Sequence, residues 1–336
     1  VSAPGGTRHA LRFGAALRYF WTSRRAGEEV ANLFGPVLAR PEARSDLKLY
    51  VDAALTVLDG RSTAAARPAL RFGEQVVEAA REAGDPRLLA EALGQLCGLY
   101  YFAGEPGRGS PFGAEAVQLA RQAGDDVLLG ITIMGYLLCQ DLIDPADAWR
   151  LYAEGIACAQ RSGDRQTAHV LHNNAAVHAI RAGDFAAARA HLLETAQAGA
   201  EIGQRNDAVP VNMGWVLRHE QDSEAARTMF ESGLRISRRT GDSYVMAYCS
   251  LGLACTLGDL GDLRRAAEMH GVARAFGGRL GGPWQQPEEQ YRHESIEQIR
   301  AQLGAEQFDA AYRRGMRLTF DDAVTLALGP VGEAAA

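Results

Sequence analysis

Helix-forming stretches rich in alanine and arginine alternate with short polar turns along most of the chain. Ala83-Gly84-Asp85, Ala123-Gly124-Asp125, Ser162-Gly163-Asp164 and Thr240-Gly241-Asp242 each close such a stretch, and Ile202-Gly203-Gln204 fills the fourth place in the series. The third residues of these turns are 40, 39, 40 and 38 residues apart. A second series, Gly104-Glu105, Asp144, Gly183-Asp184, Gln221-Asp222 and Gly261-Asp262, runs halfway between with steps of 39, 40, 38 and 40. Two interleaved series with one period predict a helix-turn-helix unit of about 40 residues, within the range of helical solenoid repeats.

The turn residues carry the physical reason. Glycine just past a helix end takes the left-handed conformation that closes the helix. The aspartate after it caps the next helix by accepting backbone N–H bonds. Gly183-Asp184 therefore ends one helix and begins another, so the two must run antiparallel. Ala186, Ala187 and Ala188, and the matching Ala225-Ala226 and Ala266-Ala267, allow close helix approach. Seven helix pairs follow, at roughly 8–45, 46–85, 86–125, 126–164, 165–204, 205–242 and 243–282.

Some units are irregular. Gly60-Arg61-Ser62-Thr63 reads as a longer turn, and Pro68 belongs in the first turn of its helix. Residues 104–111 read as a long loop, with Ser110 capping a helix that starts at Pro111. Pro210 places the start of the next first helix near Asp207. The period stops after Gly281-Gly282-Pro283. Helices are expected over 288–303, over 306–315 and from Thr319, where Thr319-x-x-Asp322 resembles a capping box. The expected fold is all-α: a right-handed α-α superhelix over 1–283, with helices of 284–330 covering its open end.

Composition narrows the function. The chain has 336 residues, 47% hydrophobic and 23% charged, and a net charge of −6. These are the values of an ordinary globular protein, and the acidic balance disfavours a nucleic-acid surface. Arg24-Arg25, Arg238-Arg239, Arg264-Arg265 and Arg313-Arg314 are scattered at helix ends, where cations suit the dipole. Lys48 is the only lysine, so a GxxxxGK[ST] phosphate loop is absent. The five cysteines, 97, 139, 158, 249 and 255, form no CxxC pair and read as reduced, buried thiols in a cytoplasm. No apolar run reaches membrane-spanning length, and no signal peptide is seen. The start at Val1-Ser2, without methionine, is expected of a piece of a longer protein.

The repeat residues resemble the tetratricopeptide type. Leu93, Leu96, Cys97 and Tyr100, then Met213, Gly214 and Leu217, suit its first-helix packing positions, and Ala226 and Ala266 its small second-helix position. The period exceeds the standard 34, and the consensus Trp and Pro are missing from most units. Ala16-Leu17-Arg18-Tyr19-Phe20-Trp21 followed by Gly27-Glu28-Glu29 resembles the opening of the C-terminal helical domain of large bacterial transcription regulators. These are the LuxR-like large ATP-binding, antibiotic-regulatory-protein and maltose-activator-like types. Residues 308–324, from Phe308-Asp309-Ala310-Ala311-Tyr312 through Gly315-Met316-Arg317-Leu318-Thr319 to Asp322-Ala323-Val324, are similar to the closing signature of that group. The resemblance implies a regulatory, signalling role in transcription.

A superhelix of helix pairs has a concave face lined mainly by first helices. Tyr101, Asn173, Val177, Trp215, Arg218 and Tyr248 fall at exposed first-helix positions and form the candidate binding groove. In that reading Trp215 lines the groove beside Asn173 and Val177, and Arg218 supplies a cation for an acidic group. Tyr101, Trp215 and Tyr248 can instead pack neighbouring helices, the commoner fate of aromatics. His169 and His172 share a helix face but lack a third metal ligand. Cys249 and Cys255, six apart, do not share a face. No catalytic constellation, metal site or cofactor is expected, and the chain reads as a non-enzyme. Its expected partner is a protein or peptide docked through the groove, or its own missing N-terminal domains. The alternative is a sensor taking a small-molecule effector or short peptide there. Neither nucleic acid nor membrane is expected as a partner.

Overall fold

In the first half of the chain the helices are α1 (Gly6–Ala16), α2 (Arg18–Ser23), α3 (Gly27–Leu38), α4 (Leu47–Asp59), α5 (Ala66–Ala83), α6 (Pro86–Phe102), α7 (Pro106–Ala123), α8 (Asp126–Tyr136) and α9 (Pro145–Ser162). Short 3-10 helices occupy Pro41–Ser45 and Leu137–Leu142. Then follow α10 (Arg165–Ala182), α11 (Phe185–Glu201), α12 (Val209–His219), α13 (Ser223–Thr240), α14 (Ser243–Asp259), α15 (Leu263–Gly277), α16 (Glu288–Leu303), α17 (Ala305–Gly315) and α18 (Phe320–Leu328). This computed structural model describes residues 5–23, 27–59, 66–203, 208–278, 284 and 287–328, and among them there is no strand. Arg24-Arg25, the 60–63 turn, Gln204, Asp207 and Gly281-Gly282-Pro283 lie outside the described residues. The chain divides into two compact units, Val1–Leu171 and His172–Ala336. The boundary falls inside α10, within the stretch that one period spans. No helix among the described residues is long and apolar enough to cross a membrane.

The turns have the expected chemistry. Gly84, Gly104, Gly124, Gly163, Gly183, Gly203, Gly241 and Gly261 all have φ between 64° and 83°. Asp85 accepts from the amides of Arg87 and Leu88, and Asp125 from those of Val127 and Leu128. Asp144, Asp164, Asp184, Asp222, Asp242 and Asp262 cap their helices in the same way. At Thr319 the hydroxyl oxygen accepts from the Asp322 amide at 3.3 Å while donating to its carboxylate at 2.6 Å. The carboxylate thus meets the hydroxyl, not the backbone N–H of a true capping box.

A charge ladder tracks the period. Arg8 pairs with Asp46, Lys48 with Asp85 and Arg87 with Asp125, each reaching from one unit to the aspartate opening a helix of the next. Asp46 is therefore in phase with the turn series although its own unit is irregular. These pairs are largely exposed, so each contributes at most about 1 kcal/mol.

Gln221 holds φ 65° where the other turns place glycine, or open directly on aspartate as at Asp144. A side chain in that region is disfavoured by about 1 kcal/mol. Gln221→Gly is expected to raise stability by about 0.5–1 kcal/mol, read as a higher urea midpoint with an unchanged slope. A lower midpoint would show that the Gln221 side chain holds the turn.

Two expectations are corrected. Residues 104–111 are not a long loop: α7 begins at Pro106, with Pro111 and Ser110 inside it. The amides of Gly104 and Glu105 bond back to Tyr101 and Tyr100, closing α6, so the next helix starts at once. Pro111 sits in the second turn, where its missing N–H leaves only the Gly107 carbonyl without its usual donor. The in-phase start aligns Gly109 with Ala148, Ala188, Ala226 and Ala266, all at a tight helix crossing. A β-carbon on Gly109 would lie 2.8 Å from the Cys97 carbonyl oxygen, and the four alanines are fully buried. In the first unit the stretch 8–45 forms three short helices and a 3-10 turn instead of one pair.

The C-terminal helices pack on the preceding ones. α16 lies on α14 and α15, α17 on α15, and α18 on α13 and α15. The α15–α17 crossing has glycine on both sides, Gly271 against the Tyr312 backbone and Gly315 against the Glu268 backbone. Arg314 reaches from α17 to the Glu268 carboxylate.

Candidate functional site

The first helices α12 and α14 carry three of the six candidate groove residues. Trp215 is 1% exposed. Its ring meets Phe230 edge-on at 5.4 Å and Tyr291 at 5.0 Å. Phe230 in turn fills space left by Gly214 and Gly252; a β-carbon at Gly214 would stand 2.6 Å from its ring. Tyr248 is 5% exposed, between Tyr244 at 4.3 Å and Trp284 at 5.0 Å. The groove expectation is therefore corrected at Trp215 and Tyr248, which are packing residues. Arg218 is not a spare cation either. Its guanidinium makes two bonds to Asp259, at 2.6 and 3.1 Å, and lies 5.9 Å from the centre of the Trp215 ring. Such two-point pairs are the stronger kind of charge-assisted bond.

The cause is α16. Tyr291 places its hydroxyl 2.7 Å from His219 Nε2 and its ring against both Trp215 and His219. The Cys255 thiol donates to the Tyr291 carbonyl at 3.7 Å. One turn on, Ser295 Oγ lies 2.9 Å from His270 Nε2, and Ile299 fills the space beside Gly258. Phe185 stacks on the other side of His219 at 4.1 Å. The chain's own helix thus covers the face that α12 and α14 would present to a ligand. A signal for this was available in sequence: Tyr291, Ser295, Ile299 and Leu303 recur every four residues, one face of a helix.

Burial sets the protonation of this face. The His270 imidazole is pushed down to about 3, by burial first and by Arg292 and Arg218 second. His219 is lowered by burial and by Arg218, and Tyr291 is pushed up to about 12 by burial. All three are therefore neutral near pH 7, and their bonds are between neutral groups.

Asn173 and Val177 are half-buried on α10. Asn173 Oδ1 accepts from Asn212 Nδ2 at 3.3 Å, and Asn173 Nδ2 donates to Asn174 Oδ1 at 3.4 Å. Asn212 lies one turn before Trp215 on α12, so the amides join neighbouring first helices. His172 is buried and shares a hydrogen bond with His191, Nδ1 to Nδ1 at 3.0 Å. Burial lowers both imidazoles. Among the described residues no three His, Cys, Asp or Glu side chains converge as metal ligands.

In the first unit, α2 plays a comparable part. Arg18 pairs with Asp59 of α4 and, at 2.5 Å, with Glu91 of α6, while Gln95 Nε2 donates to Asp59 at 2.5 Å. Tyr101 is half-buried at the end of α6, edge-on to exposed Phe102. On α8, Val127 and Ile131 are 37% and 38% exposed, one turn apart on one face. Leu142, in the 3-10 helix after α8, is also exposed. α6 and α8 approach closely at Gly94 and Gly135, where a β-carbon on Gly135 would lie 3.5 Å from the Gly94 carbonyl oxygen. Ile131 stands at the same repeat position as Glu91 and Tyr248. An open cleft of about 580 Å³ lies elsewhere in this unit, lined by Arg8, Arg44, Lys48, Asp46 and Glu82. Its cations are paired with acids, Arg8 with Asp46, Arg44 with Glu82 and Lys48 with Asp85.

No protein-family model matches the chain, and no curated protein matches it. Among solved structures it is similar to BtubC (BKLC) from P. vanneervenii, with 18% sequence identity over 69% of this chain and 92% of that chain and a TM-score of 0.49.

Proposed function

We propose that this chain is a non-enzymatic protein-interaction module whose first-helix faces receive helices of a partner. One observation carries the reading: α12 and α14 already hold a helix, α16, through a tyrosine and an isoleucine, while a serine on the same stripe reaches His270 of α15. On α6 and α8, Phe102, Val127 and Ile131 are exposed, and Ile131 stands at the repeat position of Tyr248, which Trp284 covers. Exposed apolar side chains grouped on one face suit a partner of the same kind, an amphipathic helix laid into a groove. The repeat reading is a right-handed tetratricopeptide-like superhelix. The resemblance of residues 16–29 and 308–324 to large bacterial transcription regulators supports a regulatory setting in the cytoplasm. The small-molecule sensor has weaker support, because Trp215 and Tyr248 are packed and Arg218 is engaged by Asp259.

The test is the paired substitution Val127→Glu and Ile131→Glu. It should leave helicity and melting temperature unchanged, since both side chains are over a third exposed. In cross-linking from native extract, proteins captured by the parent chain are expected to fall about tenfold or more, a loss of at least 1.4 kcal/mol. Equal capture by the two chains would refute the face. Stoichiometric binding of ATP or GTP in calorimetry would overturn the non-enzymatic reading.

A further inference from the structure

The sequence places Cys97 and Cys139 42 residues apart, and no motif links them. The fold brings their sulfurs to 3.7 Å, Cys97 from α6 and Cys139 from the 3-10 helix 137–142 that follows α8. Both side chains are buried. The two elements are unequal. Cys97 sits in a regular helix, but Cys139 holds non-helical angles (φ −91°, ψ 21°) inside its short turn. Its neighbours Asp141 and Leu142 are exposed, so a small local opening uncovers the thiol. An open cleft of about 330 Å³ adjoins the same segment, lined by Tyr136 and Ile143 on either side of it and by Ala114 and Val117 of α7. A β-carbon on Gly113 would lie 2.6 Å from the Tyr136 ring and 2.9 Å from the Cys97 sulfur. Tyr136, which lines the cleft, and the Cys97 sulfur therefore pack against the same site on α7.

We propose that Cys97 and Cys139 are a redox-active pair that closes into a reversible disulfide when the protein meets a small peroxide. The sulfurs must approach by under 2 Å to reach bonding distance. The local structure assigns the roles. Either thiol can donate to the other, but Cys139 sits in an irregular turn beside exposed Asp141 and Leu142, whereas Cys97 lies within regular α6, so peroxide reaches Cys139 first. Cys139 is then the first nucleophile. Its thiolate attacks one peroxide oxygen, the O–O bond breaks, and the departing hydroxide takes a proton to leave as water. Cys139 is now a sulfenic acid, two electrons more oxidised. The Cys97 sulfur attacks the Cys139 sulfur, the S–O bond breaks, and the Cys97 proton leaves with that oxygen as a second water. The sum is two thiols and one hydrogen peroxide to one disulfide and two waters. A dithiol reductant reverses it by exchange, becoming a disulfide itself. The bond would tie α6, which ends at exposed Phe102, to the turn 137–142, which ends at exposed Leu142.

The experiment treats the whole chain with hydrogen peroxide under native conditions, followed by intact mass and peptide mapping under non-reducing conditions. The expected result is loss of two hydrogens and one cross-linked peptide pair containing Cys97 and Cys139, both reversed by dithiothreitol. Cys139→Ser should abolish the cross-link; if that variant does not fold, the map of the parent chain decides by itself. Amide exchange in 137–142 should slow in the oxidised form. Oxygen adducts on either cysteine without the cross-link would overturn the proposal. So would a link to Cys158, Cys249 or Cys255, or no mass change at a dose that fully oxidises free glutathione. Unchanged exchange in 137–142 would overturn the tie between the two elements. All of these readouts are independent of partner capture.

Discussion

Replacing Trp215 with alanine is expected to lower stability by about 3–5 kcal/mol, the range for a large aromatic removed from a core. The ring is 1% exposed and touches Phe230, Tyr291 and the Arg218 guanidinium, so its removal opens a cavity between three elements. Phe230 fits against Gly214 and Gly252 and cannot swing without leaving that position. Tyr291→Phe is the graded companion: it keeps the ring and deletes the hydroxyl bond to His219, a loss of about 1 kcal/mol. Urea denaturation of both variants, with amide exchange over α16, measures the two effects. A Trp215→Ala midpoint close to the parent's would return Trp215 to the surface, and with it the groove reading of that residue.

The second large effect is acid sensitivity of the C-terminal unit. His172, His191, His219 and His270 are all held below the ordinary imidazole value, with burial as the first cause in each. The folded state therefore prefers neutral rings, and the unfolded chain takes up protons at higher pH. Stability from these groups is complete above the unfolded value of 6.5 and is lost as pH falls toward the folded value. For His270 that window runs from 6.5 to about 3. At pH 5 it alone removes about 2 kcal/mol. The other three act in the same direction, with Glu194 opposing at His172 and His191 and Asp259 opposing at His219. His270 faces Ser295, Arg292 and Arg218, so protonation adds a third cation to a buried corner and releases α16 first. Denaturation curves at pH 7 and pH 5 should show this loss, with faster amide exchange in α16 at pH 5. His270→Gln should flatten the difference between the two pH values. An equal slope in that variant would assign the acid sensitivity to other groups.

Helix ends were legible in the sequence because ending a helix is a local event. A glycine that can hold positive φ and an aspartate that can accept two amide bonds need only their own neighbours. Gly84-Asp85, Gly124-Asp125 and Gly163-Asp164 therefore mark real boundaries. At residues 104–111 two local signals competed, since Pro106 and Pro111 can each open a helix. The in-phase position of Gly104-Glu105 was the better guide, because its period carried information from the other repeats.

What only the tertiary structure decided is which helix faces meet. Trp215 and Arg218 look the same in sequence whether they line a groove or lie beneath Tyr291. The answer depends on where α16 comes to rest, some 70 residues later in the chain. The Cys97–Cys139 contact and the His172–His191 bond likewise depend on the crossing of separate elements, which no spacing along one helix encodes. The chain by itself determined the period, the turns and the all-helical build, since those follow from local hydrogen bonding. The identity of the covered face was set by side-chain packing between helices, where glycine contacts such as Gly214 with Phe230 and Gly258 with Ile299 choose one arrangement.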